Sequence, residues 1–178
     1  MNPVYISVAS AIIALASFAF NFFTYRDRLR SEQAHNAARL HEKWWSTDYA
    51  EARQTVYNVV EDWKRDGRKS KEFLDYYSSP HSHQRPKELR AFAKLVFFFA
   101  DLNVYIDKGL IDSKLAYRLF GSSQYAWFQD FISEVRKKIE NRETRADENK
   151  CIRWVDETKS LEKEFSKLRN FAFMETSA

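Results

Sequence analysis

Hydrophobic residues are concentrated in one uninterrupted stretch near the start of the chain. Residues 4–25 contain no charged side chain, glycine or proline. At about 1.5 Å of rise per residue, a helix of this length spans roughly 30 Å, the thickness of the hydrocarbon core of a bilayer. Tyr5 and Tyr25 lie near its two ends, where aromatic rings favour the boundary between lipid and water. The pattern therefore predicts a transmembrane helix over residues 1–25.

The same stretch has one feature of a secretory signal peptide. Ala14-Leu15-Ala16 shows the small-x-small pattern of a cleavage site. A signal peptide begins with basic side chains, however, and here only the α-amino group precedes the apolar run. The apolar residues also continue past the pattern through Phe22 and Phe23. An uncleaved membrane anchor is therefore the favoured interpretation.

Basic residues lie on one side of the anchor. Arg26, Arg28 and Arg30 follow it, whereas Met1-Asn2-Pro3 carries no basic side chain. Because basic flanks remain on the cytoplasmic side, the N-terminus is predicted to lie outside and the rest of the chain in the cytoplasm. The three arginines can also contact anionic lipid headgroups, each contributing about 1 kcal/mol, or act as topology determinants alone.

Small and polar residues inside the anchor repeat at alternating spacings of three and four, which places them along one seam of a helix: Ser7, Ser10, Ala14, Ser17, Asn21 and Thr24. Transmembrane helices associate through close approach at small residues and through shared hydrogen bonds. An unpartnered amide in hydrocarbon is costly, so Asn21 favours a partner helix from a second copy or from another membrane protein. Alternatively, the serines bond to carbonyls of their own helix and Asn21 reaches the headgroups.

Beyond the anchor, the composition predicts an all-α protein. The chain has 3 glycines and 3 prolines among 178 residues, too few for the many tight turns of a β-fold. Residues 26–46 contain no helix breaker and are predicted to continue the anchor as a juxtamembrane helical stalk. Residues 47–173 are predicted to form a cytoplasmic bundle of about five helices, and residues 174–178 a frayed tail.

One helix and several single residues of the predicted bundle carry specific expectations. The stretch from Lys87 to Lys108 is apolar around most of its circumference, which predicts the central helix, and Asn103 within its apolar arc needs a hydrogen-bond partner. Arg53 lies at the edge of an apolar helix face, where a half-buried guanidinium usually pairs with a carboxylate. Gly121 is predicted to end a short helix that begins at Asp112.

Charged residues are otherwise interleaved in sign. The formal net charge is +4, without the clustering that is typical of nucleic-acid binding proteins, so nucleic acid is not an expected partner. The run Arg136-Lys137-Lys138 lies beside two glutamates and is interpreted as a solvated helix face rather than a phosphate site. The single cysteine, Cys151, excludes an internal disulfide and suits a reducing compartment.

Catalytic and metal-binding patterns are weak. His81 and His83 lie in a loop over residues 78–86 without a nearby third ligand. Glu32 and His35 form one of the two motifs that a di-metal bundle requires. The sequence contains no glycine-rich phosphate loop, paired cysteine motif or nucleophile elbow. No cofactor, metal or enzymatic activity is therefore predicted.

Several segments taken together carry a family resemblance. An arginine-rich exit from the span is followed by Leu40-His41-Glu42-Lys43-Trp44-Trp45 and Tyr49-Ala50-Glu51-Ala52-Arg53, then by Gly109-Leu110-Ile111-Asp112 through Leu119-Phe120-Gly121, and by Trp127-Phe128. The chain thereby resembles a family of bacterial membrane-tethered helical domains of unknown function. The resemblance implies this architecture at a bacterial inner membrane and no enzymatic role.

Three functional hypotheses follow. The leading one is a non-catalytic, membrane-tethered interaction or scaffold subunit, which self-associates or binds a larger membrane complex. The second is a regulator or defence-type effector at the membrane surface, whose cytoplasmic bundle senses a ligand or a partner. The third, a tethered nucleic-acid-processing enzyme, has the least support from the sequence.

Overall fold

The computed structural model describes residues 3–65, 87–143 and 153–175, and within them the side chains of residues 13–65, 87–140 except 122, and 154–170. Every element in these ranges is helical. The all-α prediction is therefore confirmed for the described part of the chain. There it forms six α-helices and one π-helical segment: α1 (Pro3–Trp45), α2 (Thr47–Arg65), α3 (Lys87–Asp107), α4 (Ser113–Ala116), the π-helical segment (Tyr117–Tyr125), α5 (Ala126–Glu143) and α6 (Arg153–Glu175).

The first helix, α1, has two ends in opposite environments. Its residues 13–32 are all exposed, whereas Ala37, Leu40 and Trp44 are buried in the core. Their spacing of three and four places these three side chains on one face of the helix. The helix continues through Arg26 as predicted, but its final turns belong to the bundle rather than to a separate stalk. We call residues 3–32 the arm.

The predicted transmembrane helix over residues 1–25 is not supported by the structure. Among the residues that it describes, no helix contains an 18-residue window apolar enough to cross a membrane.

The predicted central helix is confirmed as α3. Ten of its residues are buried, and they include the amide of Asn103. Its narrow exposed stripe contains Arg90, Phe97 and Asp101. A helix buried over most of its circumference must have neighbours on several sides, and α3 packs against α2, α4 and α6.

Two of the helices that surround α3 run antiparallel to it. Gln33 of α1 binds the turn after α3, and Trp44 packs against Phe98 in its middle, so α3 is antiparallel to the last part of α1. Ring contacts of Phe99 with Tyr125 and of Phe92 with Phe131 place α5 antiparallel to α3. The turn after α3 therefore lies at the end of the bundle from which the arm emerges.

The stretch from Asp112 to Glu143 is one nearly continuous helical run rather than two helices separated at Gly121. The Asp112 carboxylate caps its start by accepting a hydrogen bond of 2.9 Å from the backbone N–H of Leu115. The chain then passes through the π-helical segment, with Gly121 inside it. A Cβ at this position would lie 2.4 Å from Tyr117 Cδ2 and 3.0 Å from Phe165 Cδ2. Glycine is thus required here for close packing, which is why the predicted helix end is wrong.

Candidate functional site

The described part of the arm presents large apolar side chains to its surroundings. Their exposed fractions range from 52% to 71%, and the residues are Ile13, Leu15, Phe18, Phe20, Phe22, Phe23 and Tyr25. Because successive residues of a helix are about 100° apart, these positions cover about two thirds of the circumference, and the remaining arc holds Ala14, Ser17, Asn21 and Thr24. A helix with so broad an exposed apolar surface is stable in hydrocarbon or inside a protein assembly, and unfavourable in water.

The predicted association seam runs along this surface. Ala14, Ser17, Asn21 and Thr24 are all exposed, and the side chains of Ser7 and Ser10 lie outside the described residues. Thr24 donates a hydrogen bond of 2.9 Å to the carbonyl of Phe20, in the pattern that the alternative interpretation gave for the serines. No partner for the Asn21 amide occurs within the part of the chain that the structure describes.

The arm joins the bundle through two amide side chains. Gln33 Nε2 donates to the carbonyl of Gly109 at 2.9 Å, and Asn36 Nδ2 donates to the carbonyl of Leu110 at 3.1 Å. Gly109 adopts φ +66°, which glycine accepts readily, and this conformation turns the chain at the end of α3. These two contacts and the buried Ala37 hold α1 against the bundle just beyond the arm. The arm and these residues belong to one unbroken helix.

An open depression of about 430 Å³ lies beside this junction, lined by Ser31, Glu32, His35 and Asn36. The Glu32 carboxylate and the His35 imidazole, which the sequence analysis interpreted as one of the two motifs of a di-metal bundle, both line it. Within the described residues, no cluster of three or more histidine, cysteine, aspartate or glutamate side chains could hold a metal ion. The pair therefore stays an isolated half-motif among the described side chains.

Arg53 has partners of a kind that the sequence did not predict. Its guanidinium donates to the carbonyl of Trp44 and lies 5.0 Å and 4.8 Å from the ring centroids of Trp44 and Trp45. Partial burial lowers the pKa of this group from its usual value. No carboxylate pairs with Arg53 in the described part of the chain. Arg53 therefore caps the carboxyl end of α1 and stacks on its two terminal indoles.

Trp44 connects α1 with the bundle interior. Its side chain is fully buried, and its ring centroid lies 4.7 Å from that of Phe98 and 5.3 Å from that of Phe99. The indole N–H donates to Gln124 Oε1 at 3.2 Å, within the π-helical segment. The end of α1 is thus held by aromatic packing and by a satisfied polar contact.

Asn103 finds the hydrogen-bond partners that its buried position requires. Its Nδ2 donates to Asp107 Oδ2 at 3.0 Å and to Glu157 Oε2 at 2.7 Å. Glu157 belongs to α6, so this amide links the central helix with the last helix. The prediction of a buried, partnered asparagine is confirmed, and its role is structural.

Sequence reasoning missed a buried polar network between α5 and α6. Arg136, interpreted above as part of a solvated face, is buried and pairs with Glu162. Tyr125 donates to the carbonyl of Thr158 at 3.4 Å, and burial raises the pKa of its phenol well above the usual value. A signal was present in the sequence, because Arg136 lies at helical spacing, four and three residues, from two buried residues of α5, Ile132 and Ile139.

Other predicted positions divide into exposed residues and residues outside the description. Arg26, Arg28 and Arg30 are exposed on the arm. The loop over residues 78–86 with His81 and His83, and also Cys151, lie outside the described residues. Helix α6 extends to Glu175, two residues into the predicted tail, and residues 176–178 lie outside the description.

The fold and this surface define a class of protein: an all-helical bundle whose first helix projects an exposed apolar arm. The chain matches a protein family described as a domain of unknown function (DUF4760) over residues 6–154. It belongs to this family, and the predicted relation to a helical family of unknown function is confirmed. The match begins within the arm and ends near the start of α6. No curated protein and no solved structure matches the chain.

Proposed function

We propose that this protein is a non-catalytic interaction subunit that is held at a membrane by its apolar arm. The observation that carries the proposal is the exposure of large apolar side chains over about two thirds of the circumference of the described arm. A partner helix would cover one face of such a surface, whereas lipid covers every face. The sequence extends the apolar stretch back to Val4, and α1 begins at Pro3.

The flanking charges support one orientation. Arg26, Arg28 and Arg30 follow the apolar stretch and are exposed. In a bacterial inner membrane, such a basic flank favours the cytoplasmic side, which would place the bundle in the cytoplasm and the N-terminus outside. The rigid connection at Gln33 and Asn36 would then hold the bundle next to the inner leaflet, where it can bind a second copy or a larger membrane complex.

Membrane flotation of the full chain tests the proposal. The purified protein is reconstituted with neutral phosphatidylcholine vesicles and separated on a density gradient, with Leu15→Arg as the test variant. A charge near the centre of a spanning helix costs about 2.5–3.5 kcal/mol, so the vesicle-bound fraction relative to the free fraction should fall on the order of 100-fold.

Phe97→Arg provides the matched control, because Phe97 is 54% exposed on the bundle and a charge there meets solvent. This variant should float with the wild-type protein. Circular dichroism of each variant verifies that the helices have formed. A wild-type chain that stays at the bottom of the gradient, or equal flotation of both variants, would contradict the proposal.

A further inference from the structure

The turn after α3 lies beside the arm, on the side of α1 that faces the bundle. Two hydrogen bonds fix this position, from Gln33 to Gly109 and from Asn36 to Leu110. Because α3 is antiparallel to the end of α1, this turn is the end of α3 that lies closest to the arm. Leu110 is 42% exposed there, and Lys108 is exposed as well.

Two of the three arm arginines lie on the same side of α1 as this turn. Arg26 precedes Trp44 by 18 residues, which is five helical turns, so it lies on the bundle side of α1. Arg30 lies within about 40° of that direction, whereas Arg28 is about 160° away. Leu29, which is 38% exposed, falls between Arg26 and Arg30 along the helix.

Neighbouring acids do not neutralise these cations. Asp107 accepts a hydrogen bond from Asn103, and Asp112 caps α4 by binding the N–H of Leu115. Among the described residues, no carboxylate lies within ion-pairing distance of Arg26, Arg30 or Lys108. This surface, which we call the underside of the bundle, therefore combines three cations that have no carboxylate partner among the described residues with two exposed leucines. The cations are Arg26, Arg30 and Lys108, and the leucines are Leu29 and Leu110.

We propose that this underside, formed by Arg26, Leu29, Arg30, Lys108 and Leu110, binds anionic headgroups of the bilayer in which the arm is anchored. The inference rests on the proposed function. Gln33 lies about 12 Å beyond Tyr25 along the helix axis, and the headgroup layer is about 5–7 Å thick. A modest helix tilt and the long lysine and arginine side chains close this gap. Exposed leucines beside cations suit the boundary between headgroups and acyl chains.

An environment-sensitive fluorophore at position 110 tests this contact in the full chain. The label is attached through Leu110→Cys in a Cys151→Ala background, and the protein is reconstituted into phosphatidylcholine nanodiscs with increasing phosphatidylglycerol. The emission should shift to the blue as the anionic fraction rises. At 1 M salt, where the Debye length is about 3 Å, the dependence on phosphatidylglycerol should be lost.

Removal of one cation gives the quantitative test. Each basic side chain near an anionic surface contributes about 1 kcal/mol, so Lys108→Gln should raise the phosphatidylglycerol fraction at half-shift about fivefold. Arg39→Gln is the matched control, because Arg39 is exposed on α1 about four turns beyond Tyr25 and away from the bundle side. This control should leave the titration unchanged.

The possible failures are distinguishable. A protein that does not enter neutral nanodiscs contradicts the proposed anchoring. A protein that enters them but shows no dependence on phosphatidylglycerol at position 110, or an equal effect of Lys108→Gln and Arg39→Gln, contradicts the headgroup contact alone.

Discussion

The phenylalanines of the arm and those of the bundle are the same residue type in opposite surroundings. Phe18 and Phe20 are each 71% exposed, whereas Phe99 and Phe128 are fully buried. In the bundle, each ring is stabilised by other rings, as in the contact of Phe99 with Tyr125 at 4.8 Å. In the described arm the rings of the neighbours Phe22 and Phe23 lie 6.0 Å apart, but both stay exposed, and the other described residues do not cover the apolar surface of the arm.

Two asparagines show the same contrast between an exposed arm and a packed bundle for polar side chains. Asn103 is buried and satisfied by carboxylates from α3 and α6. Asn21 is exposed on the arm, and the described part of the chain offers it no partner. The hydrogen-bond partners of a buried amide come from the folded bundle itself, whereas those of an amide on an apolar arm come from its environment. The described arm is therefore a region whose polar and apolar side chains meet the surroundings rather than the bundle.

The largest expected difference between the two regions is in stability. Trp44→Ala removes the packing with Phe98 and Phe99 and leaves Gln124 without its indole donor, so the free energy of unfolding should fall by about 3–5 kcal/mol. Phe18→Ala, which removes a large apolar ring from the arm, should change it by about 0.5 kcal/mol or less. Urea unfolding in mild detergent, followed by circular dichroism, measures both. Equal losses would show that the arm packs against the bundle.

A smaller loss is expected for the polar network between α5 and α6. Glu162→Ala leaves the buried Arg136 guanidinium without its carboxylate and should cost about 3 kcal/mol. Replacing both partners, with Arg136→Leu and Glu162→Leu, should cost clearly less because no buried charge remains. A double-mutant cycle from urea unfolding compares the double variant with the single variants Glu162→Leu and Arg136→Leu. If the double variant lost as much as the sum of the single variants, the pair would not be coupled.

Local patterns in the sequence predicted the parts of the fold that depend on helical periodicity. The central helix and the buried Asn103 both follow from residue type and spacing. The π-helical segment did not follow, because the close approach of Phe165 to Gly121 joins residues far apart in the chain. A local reading treats such a glycine as a helix terminator.

The candidate site was predictable in its residues but not in its arrangement. The apolar stretch and the arginines were evident in the sequence, whereas the attachment of the arm at Gln33 and Asn36 was not. These two amides bind backbone carbonyls of a distant turn, and carbonyls carry no sequence signal. The same reason applies to Arg53, whose partner is the carbonyl of Trp44 rather than the carboxylate that its position suggested.

A loss of intermediate size is expected at the π-helical segment. Gly121→Ala places a methyl group against Tyr117 and Phe165, so it should lower stability by about 2 kcal/mol. Tyr117→Leu in the same chain should restore part of this loss by making room. Gly109→Ala is the control, because that position has open space and a positive φ, so its strain should not respond to Tyr117→Leu. Rescue at both glycines would contradict the close-packing explanation.

The smallest effect is expected on the arm itself and appears in association rather than in unfolding. Interhelical hydrogen bonds in membranes contribute about 0.6 kcal/mol on average, so Asn21→Leu with Ser17→Leu should weaken a dimer held by the seam by on the order of tenfold, counting both copies. Phe20→Leu with Phe22→Leu changes the same helix away from the seam and should leave association unchanged. Light scattering in detergent gives the mass of each variant as a function of concentration. A wild-type protein of single-chain mass, or an equal loss in both double variants, would leave the arm as an anchor for lipid alone, because the seam would then confer no specificity for a second helix.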